Sequence, residues 1–352
     1  MKKYYVGVDL HKRYTTLTAI NQEGEVVMYE KEIPNSSTEI LISKLLSIGE
    51  PQELLVAFES CSNWYWLDEL LSQHSIEHVM SHPKITKYIS AAKQKTDKVA
   101  SLRLAKLLRT SMLPTAYILP AHLRCLRDIA RHRIILTKIQ TSVKNRLHAV
   151  LRNFNLIFPY SDLFSLKGSL WLDNAIKYLP THYQFTVKNY IKLVNLLEQQ
   201  IQQTTYKIHL EMHNHPQVLL LLEIPGIDVF LAVVIILEIG DIRRFPSSKH
   251  LCSFCGVVPT VRQSGEISYT GHLSYDCNMY LKWAITQAAV QVKRIKEHPF
   301  RSFYEKLESK KGTKKAIIAV ARKIAVSIYH MLSKNQHFNP TINKETSAGY
   351  IG

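Results

Sequence analysis

The sequence predicts an α/β domain at the amino terminus, followed by regions that are mostly helical. The first observation is strand-like alternation at Tyr4, Val6 and Val8, which begins again at Tyr14 before a polar NQEG loop and a third strand, EVVMYEKEI. The second is that helical spacing in STEILISKLLSIG and WYWLDELLSQH alternates with the short apolar strands ELLVAFES and EHVMSH. The third is a change of composition at Ala121, where a long stretch without Gly or Pro carries many Arg and Lys residues.

These patterns divide the chain into four predicted segments. They are the α/β domain over residues 1–115, a helical or coiled-coil arm over residues 116–214, a helical C-terminal domain over residues 215–334, and a flexible polar tail over residues 335–352. In the C-terminal domain, two helices flank a tight PGI turn, and the amphipathic helices NMYLKWAITQAAVQVKRI and KKAIIAVARKIAVSIYHML come later. Between them, CGVVPTVRQSGEISYTGHLS is rich in Gly, Ser and Thr and predicts a loop.

Two features of the helical segments allow more than one interpretation. The PGI turn is typical of a helix–hairpin–helix whose turn amides contact a phosphate, and equally of an ordinary helical corner. A heptad stripe in the arm predicts either a plain antiparallel hairpin or a coiled-coil arm that dimerises and grips nucleic acid. The stripe consists of Val187, Tyr190, Val194, Leu197, Ile201, Thr204 and Ile208. The second interpretation is favoured by basic residues that a solvated helix face could also carry, namely Arg124, Arg127, Arg131, Lys138, Lys144, Arg146 and Arg152.

Composition indicates a polyanionic partner. The chain has 352 residues, and 45 Lys and Arg against 28 Asp and Glu give a formal net charge of +17. Such a surplus points to nucleic acid, with an anionic membrane surface as the weaker alternative. The longest apolar run, VFLAVVIIL (Val229–Leu237), is shorter than the roughly 20 residues that span a bilayer, so it predicts a buried helix and no membrane partner. Five irregularly spaced cysteines predict free thiols in a reducing cytoplasm.

Three carboxylates are placed at the ends of predicted elements in the α/β domain. Asp9 ends the first strand, Glu59 ends ELLVAFE, and Asp97 opens a helix capped by Thr96. Acids at strand ends lie at the edge of the sheet, where ligands bind in α/β folds, and Mg²⁺ prefers such oxygen ligands. Spacing alone makes this a weak signal because acidic residues are common. His11, two residues after Asp9, is interpreted as part of the strand turn.

Several motifs in combination resemble a known family. GVDLHK, FESCSNWYW and KTDKVASLRLAKLL in the first domain, and IPGIDVFLAVVIILEIGDIRRFPSSKHLCSFCGVVPTVRQSGE in the C-terminal domain, are similar to DEDD transposases of the IS110 and IS1111 insertion-sequence group, relatives of the Piv DNA invertase. The resemblance runs through nearly the whole chain in order. It implies a RuvC-like domain of the RNase H fold, in which Asp9, Glu59 and Asp97 are three of four acids that hold Mg²⁺. It also implies that residues 215–334 form a C-terminal transposase domain.

The fourth acid of that pattern is missing from this chain. It is expected three residues after Asp97, on the same helix face, and Ala100 stands there. A methyl group cannot bind a cation, and neither Lys98 nor Ser101 is an evident substitute. The sequence does not distinguish a natural variant from an introduced substitution. In either case we expect weakened metal binding and impaired strand cleavage.

The resemblance also implies a catalytic serine, Ser264 in RQSGE, which forms a covalent phosphoserine link to DNA; without the family, the residue would be a turn serine. Arg262 is a candidate phosphate contact beside it. The implied partners are donor and target DNA, a structured non-coding guide RNA (a bridge RNA), and further copies of the chain in a homodimer or homotetramer. The expected protein is an RNA-guided recombinase of a bacterial insertion sequence, located in the cytoplasm. The alternatives are a RuvC-like junction-resolving nuclease and a catalytically dead nucleic-acid-binding regulator.

Overall fold

The computed structural model describes residues 2–89, 96–264 and 267–340, with side chains left out at 87–89, 261–264 and 267–270. The chain divides into two compact units, Met1–Ala121 and His122–Gly352. The first unit contains a mixed sheet and the second is mostly helical, so the predicted combination of an α/β domain with helical regions is confirmed.

A six-stranded sheet forms the centre of the first unit, in the order β3-β2-β1-β4-β5-β6. Its strands are β1 Tyr4–Leu10, β2 Tyr14–Ile20, β3 Val26–Pro34, β4 Leu54–Glu59, β5 His78–Ser81 and β6 Thr115–Ala116. Its helices are α1 Thr38–Leu46, α2 Tyr65–Gln73, α3 Pro83–Ile89 and α4 Asp97–Arg109. Strands β1, β4 and β5 run parallel, whereas β2, β3 and β6 pair antiparallel to their neighbours. The carboxyl ends of β1 and β4 therefore meet at one edge of the sheet.

Helix α4 packs closely on the sheet because β1 carries a glycine beneath it. A Cβ added to Gly7 would lie 1.9 Å from the carbonyl oxygen of Ser101 and 2.6 Å from the amide nitrogen of Ala105. On the same side, Ser101 Oγ hydrogen-bonds Thr18 Oγ1 of β2 at 2.7 Å. These contacts fix the height and rotation of α4 over β1, and with them the position of Asp97 at its first turn.

We expect Gly7→Ala to destabilise the first unit by at least about 2 kcal/mol, since both clashing atoms belong to the backbone and α4 must move to admit the methyl group. Chemical denaturation monitored by circular dichroism would measure the loss. Gly49→Ala in the same unit is the control, because its φ is not positive and the atoms nearest the added Cβ are side-chain atoms that can move, Glu53 Oε2 and Tyr4 Cε2 at 2.9 Å, so we expect a loss below about 1 kcal/mol. Equal losses in the two variants would contradict the role given to the α4–β1 contact.

The second unit contains two long helices and a helical core. Its helices are α5 Ala121–Asn153, α6 Leu166–Ala175, α7 Thr181–Met212, α8 Pro216–Leu221, α9 Val229–Ile239, α10 Ser248–Phe254, α11 Met279–Val290, α12 Arg301–Lys311 and α13 Thr313–Lys334. Helix α9 is buried from Phe230 to Ile239 at the centre of this core, as its apolar sequence predicted.

The heptad stripe of α7 faces α5 of the same chain. Val194 and Leu197 pack with Val143 of α5, and Val187 joins a second cluster with Leu147. Polar contacts follow the same seam, where Gln140 donates to Glu198 at 2.7 Å. This arrangement is the plain antiparallel hairpin of the two interpretations; assembly and nucleic-acid binding by the arm stay predictions.

The stretch predicted as a loop is a β-hairpin, and that prediction was wrong. Strands β7 Pro259–Ser264 and β8 Ile267–Leu273 pair antiparallel, with Ser264 opposite Ile267. The sequence between Thr260 and Thr270 contains Val, Ile, Tyr and Thr residues that favour strands, and their pairing outweighs the turn-forming Gly and Ser. Ser264 thus lies at the carboxyl end of β7.

The PGI turn packs inside the second unit. A Cβ on Gly226, whose φ is +94°, would meet the carbonyl oxygen of Ala288 in α11 at 2.8 Å. The buried imidazole of His298 donates from Nε2 to the Pro225 carbonyl oxygen and accepts at Nδ1 from the Phe300 amide, both at 3.1 Å. These contacts are those of an ordinary helical corner; the phosphate contact stays untested.

Acid is expected to weaken this corner. Burial lowers the pKa of His298 below its usual 6.5, because the cation would be poorly solvated, and the hydrogen bond to the Pro225 carbonyl oxygen offsets only part of this effect. Its stabilisation is therefore fully present above about pH 6.5 and is lost as the pH falls through the lowered pKa. We expect His298→Gln to reduce the melting temperature at pH 7.5, with a smaller further drop at pH 5 than in the parent protein. If the melting temperature fell equally with pH in the two proteins, His298 would not be the group responsible for the acid sensitivity.

One helix, α13, is long and apolar enough to cross a membrane by length and composition alone. Half of its most apolar window is buried inside the protein, where Val320, Ile324 and Ile328 belong to the core of the second unit. A core helix passes the same test, so α13 gives little support for a membrane partner. After α13, the amide of Phe338 donates a hydrogen bond to Glu223 at 2.8 Å. The rest of the predicted flexible tail, from residue 341 onward, lies outside the described residues.

Candidate metal centre

The structure brings two of the three predicted acids together with a histidine. Ligand atoms of Asp9, His11 and Asp97 all lie within 4.8 Å of one another. Among the side chains that the structure describes, this is the one group of three or more His, Cys, Asp or Glu residues close enough to hold a metal ion. Asp9 is carried by β1, His11 by the turn into β2, and Asp97 by the first turn of α4.

Each member of the cluster is positioned by local structure. Asp97 opens α4, where Thr96 caps the helix by accepting a hydrogen bond from the Val99 amide at 3.3 Å, as predicted. The hydroxyl of Tyr14 donates to Asp97 Oδ2 at 3.2 Å. Burial and the neighbouring Asp97 carboxylate raise the pKa of Tyr14, so it remains a hydrogen-bond donor at neutral pH.

Glu59 lies on the neighbouring strand and outside this close group. The parallel register pairs Val8 with Phe58, so Asp9 and Glu59 follow at adjacent strand ends and on the same face of the sheet. The pKa of the Cys61 thiol is raised chiefly by burial, with smaller contributions from the charges of Glu59 and Asp9. Glu59 thus borders the cluster without being one of its three closest groups.

The residue at position 100 offers no ligand. Ala100 lies one helical turn after Asp97, and its amide donates to the Thr96 carbonyl oxygen at 2.9 Å. Residues three apart share a helix face, so a carboxylate at this position would point toward the same side as Asp97.

The donor set fits a divalent cation. Two carboxylates are partly exposed, with 18% and 32% of the side chains of Asp9 and Asp97 accessible. The third donor atom, His11 Nε2, is buried and makes no hydrogen bond, although one oxygen of each carboxylate lies 3.4 Å away. Carboxylate oxygens with an imidazole nitrogen are ligands that divalent cations accept.

Comparison with known proteins identifies the family. The DEDD transposase profile of the IS110 type matches residues 6–156, which include the whole cluster. The profile of the transposase IS116/IS110/IS902 family matches residues 218–305, and the two profiles together cover more than half of the chain. The chain belongs to the IS110 family of transposases.

Individual relatives agree with this assignment. The chain is 22% identical over 267 residues to a putative transposase of Sinorhizobium fredii, a match that covers 75% of the chain and 65% of that protein. It is 33% identical over 127 residues to the pilin gene-inverting protein of Moraxella bovis, covering 36% of the chain and 39% of the relative. The transposase for insertion sequence element IS1533 of Leptospira borgpetersenii is 23% identical over 260 residues, 72% of the chain and 74% of its own length. The chain thus spans less than two thirds of the first two relatives.

In this IS110-family chain, the backbone of the predicted serine is described and its side chain is not. Ser264 ends β7, and Arg262 lies two residues earlier on the same strand. The side chains of both residues, and Gly265 after the serine, lie outside the described part of the chain. Their catalytic and binding roles therefore stay predictions.

The basic residues predicted to contact nucleic acid differ in how far they are exposed to solvent. Arg124 is only 2% exposed, and Arg131 forms a bidentate ion pair with the buried Glu238 at 2.6 and 2.7 Å, so neither guanidinium faces solvent freely. The half-buried members are Arg127 and Lys144, and the fully exposed ones are Lys138, Arg146 and Arg152. Lys144 Nζ lies 4.6 Å from the Phe164 ring centroid. The predicted phosphate contacts of the arm are therefore available chiefly at its exposed members, and they stay predictions.

Sequence reasoning missed His11 as a site residue. It assigned the residue to the strand turn, and the turn is present, because the His11 amide donates to the Tyr14 carbonyl oxygen at 3.0 Å. The available signal was the D-x-H spacing: alternate residues at the end of a strand project to the same side. The imidazole therefore follows Asp9 toward the same edge.

Proposed function

We propose that this IS110-family chain is a DNA recombinase of a bacterial insertion sequence, which cuts and rejoins strands through a phosphoserine intermediate. The observation that carries the proposal is the Asp9–His11–Asp97 cluster at the edge of the sheet in a member of this family. Because the matches to curated relatives are partial, activity, substrates and partners are part of the proposal.

The first unit would be a RuvC-like nuclease domain. This is supported by the mixed sheet, with antiparallel β1–β3 followed by parallel β4 and β5, and by acids at the adjacent ends of β1 and β4. The helix that carries Asp97 packs against β1 and completes the acidic edge. In this arrangement Asp9, Glu59 and Asp97 hold Mg²⁺ or a similar ion.

A bound divalent cation would supply charge stabilisation at the scissile phosphate. The hydroxyl of Ser264 attacks the phosphorus, so that an Oγ–P bond forms while the bond to one deoxyribose oxygen breaks. The serine proton passes to solvent, and the departing oxygen takes up a proton. Rejoining reverses these changes with the hydroxyl of another strand, which regenerates the serine without any external energy source.

The nucleic-acid partners would be donor DNA, target DNA and a structured guide RNA. Support comes from the net charge of +17 and from the exposed arm residues Lys138, Arg146 and Arg152. We further propose that the chain acts as a homodimer or homotetramer and that Ser264 serves an acidic site in its own or another copy.

One observation favours a second candidate function. Ala100 removes a ligand position, and a chain that has lost catalysis could persist as a nucleic-acid-binding regulator. Such a protein would bind the same DNA and RNA without breaking a strand.

Purification followed by a strand-transfer assay tests the proposal. We expect structured RNA to copurify with the protein. With RNA, Mn²⁺ or Mg²⁺ and labelled element ends, we expect a protein–DNA adduct on denaturing gels that mass spectrometry maps to Ser264. DNA binding without an adduct or cleavage, in either metal, would favour the regulator. Cleavage without an adduct would favour a junction-resolving nuclease.

A further inference from the structure

The imidazole of His11 points into the acidic cluster without a hydrogen bond to account for its position. Nε2 is buried and lies 3.4 Å from Asp9 Oδ2 and 3.4 Å from Asp97 Oδ2. A hydrogen bond from nitrogen to oxygen is normally about 2.7–3.2 Å long and well aligned, which neither contact achieves. A nitrogen equidistant from two carboxylates is instead arranged as a third donor around a common point.

The surrounding fold holds His11 in place beside the two acids. The backbone carbonyl oxygen of His11 accepts from Asn35 Nδ2 at 2.9 Å and from Asn63 Nδ2 at 3.0 Å, and its amide donates to Tyr14. The ring packs on Tyr14 with centroids 4.6 Å apart. These contacts hold the backbone and the ring of His11 in place. A histidine fixed in this way is oriented for a metal ion before the ion binds.

The two nitrogen–oxygen distances match those around a shared ion, and the carboxylate oxygens of Asp9 and Asp97 lie within 4.8 Å of each other. Two ligand atoms bound about 2.1 Å from one ion are separated by roughly 3.0 Å at right angles and roughly 3.4 Å at a tetrahedral angle. The two nitrogen–oxygen distances in this cluster are both 3.4 Å. Small shifts of the partly exposed carboxylates would adapt the set to either geometry.

We propose that His11 Nε2 is a nitrogen ligand of the cation held by Asp9 and Asp97, and that it makes the site select a divalent first-row transition ion over Mg²⁺. The inference deepens the proposed function and rests on it for the presence of a cation. Because Ala100 supplies no carboxylate, the imidazole nitrogen makes up a larger fraction of the ligand atoms than it would in a site with an acid at position 100. Imidazole suits ions such as Fe²⁺, Ni²⁺ and Zn²⁺ better than Mg²⁺, which prefers oxygen ligands.

Electron paramagnetic resonance on the full-length protein with Mn²⁺ alone tests this directly. We expect electron spin-echo modulation from a directly bound ¹⁴N nucleus, which changes when the histidines are labelled with ¹⁵N. Titration should show Mn²⁺ binding at least about 10-fold more tightly than Mg²⁺ in competition. His11→Gln should remove the modulation and weaken Mn²⁺ by about 10–100-fold, with a smaller effect on Mg²⁺.

Two further variants make the result specific. His74→Gln, at an exposed histidine that directly follows α2 in the same unit, should change neither the modulation nor the affinity. His11→Asp should retain a bound ion, lose the nitrogen signal and shift the preference toward Mg²⁺; its melting temperature and that of His11→Gln report whether the fold is intact.

The outcomes separate this inference from the proposed function. Mn²⁺ that binds in an Asp9-dependent and Asp97-dependent way without nitrogen modulation would overturn the role of His11 and leave the acidic site standing. An unchanged modulation in His11→Gln would do the same. Failure of both ions to bind, or binding that persists in Asp9→Asn, would overturn both the ligand assignment and the metal site.

Discussion

Ala100→Asp is expected to raise Mg²⁺-dependent strand cleavage by at least about 10-fold, and Mg²⁺ affinity by about 10–100-fold. The change places a carboxylate one turn after Asp97 on the same face of α4. Because the contact at Gly7 holds that helix on β1, the new oxygen would face the existing cluster without rearrangement of the fold. A Mg²⁺ titration of cleavage, with RNA and element-end DNA, measures both quantities.

Val99→Asp is the matched control, because it adds the same charge to the same helix two residues from Asp97, where side chains do not share a face. We expect it to leave the metal dependence unchanged. If Ala100→Asp gained no activity and no affinity while folding normally, the position would not be a ligand position, and the regulator would be the better description of the chain.

Ser264→Ala is expected to abolish the covalent adduct and to reduce strand exchange by at least about 10³-fold, as removal of a nucleophile does in other enzymes. DNA and RNA binding should be retained, since the hydroxyl contributes little to a phosphate-dominated interface. Denaturing gels and a filter-binding assay on the same preparation separate the two effects. The Ala100→Asp background gives the larger signal for this comparison.

Ser253→Ala controls for loss of a serine hydroxyl elsewhere in the second unit, because Ser253 is exposed on α10. It should exchange strands at the parent rate. Cleavage that continued unchanged in Ser264→Ala would mean that water attacks the phosphate with the help of the acids alone, as in a junction-resolving nuclease.

The acidic edge could largely be predicted from sequence because it follows from strand polarity. Asp9 and Glu59 lie at the ends of parallel strands, and the capping residue Thr96 marks the start of α4 in the sequence. The distances among the side chains could not be predicted, since they depend on how closely α4 approaches Gly7. His11 was missed for a related reason: its backbone carbonyl oxygen is held by Asn35 and Asn63, which are distant in sequence.

The helical regions show where local patterns stop being informative. The heptad stripe predicted a buried seam and its spacing correctly, but not whether the partner helix belongs to the same chain. The basic pattern of α5 did not reveal that Arg131 pairs with Glu238 in another helix, because that pairing is tertiary. The β7–β8 hairpin was missed because the composition of its turn was extended to the flanking strands.

The hairpin between α5 and α7 has a consequence for mutagenesis of self-association. The leucines and valines that face inward already pack α5 against α7 within one chain. Replacing them would unfold the arm, and the resulting loss of self-association could be mistaken for a disrupted interface between subunits. Apolar groups that remain available to a second copy lie on the outer side of α7, at Phe185, Leu196, Tyr206 and Leu210, which are 70%, 53%, 64% and 55% exposed. To separate subunits without unfolding the arm, charged residues should therefore be introduced at these exposed positions and not in the heptad stripe.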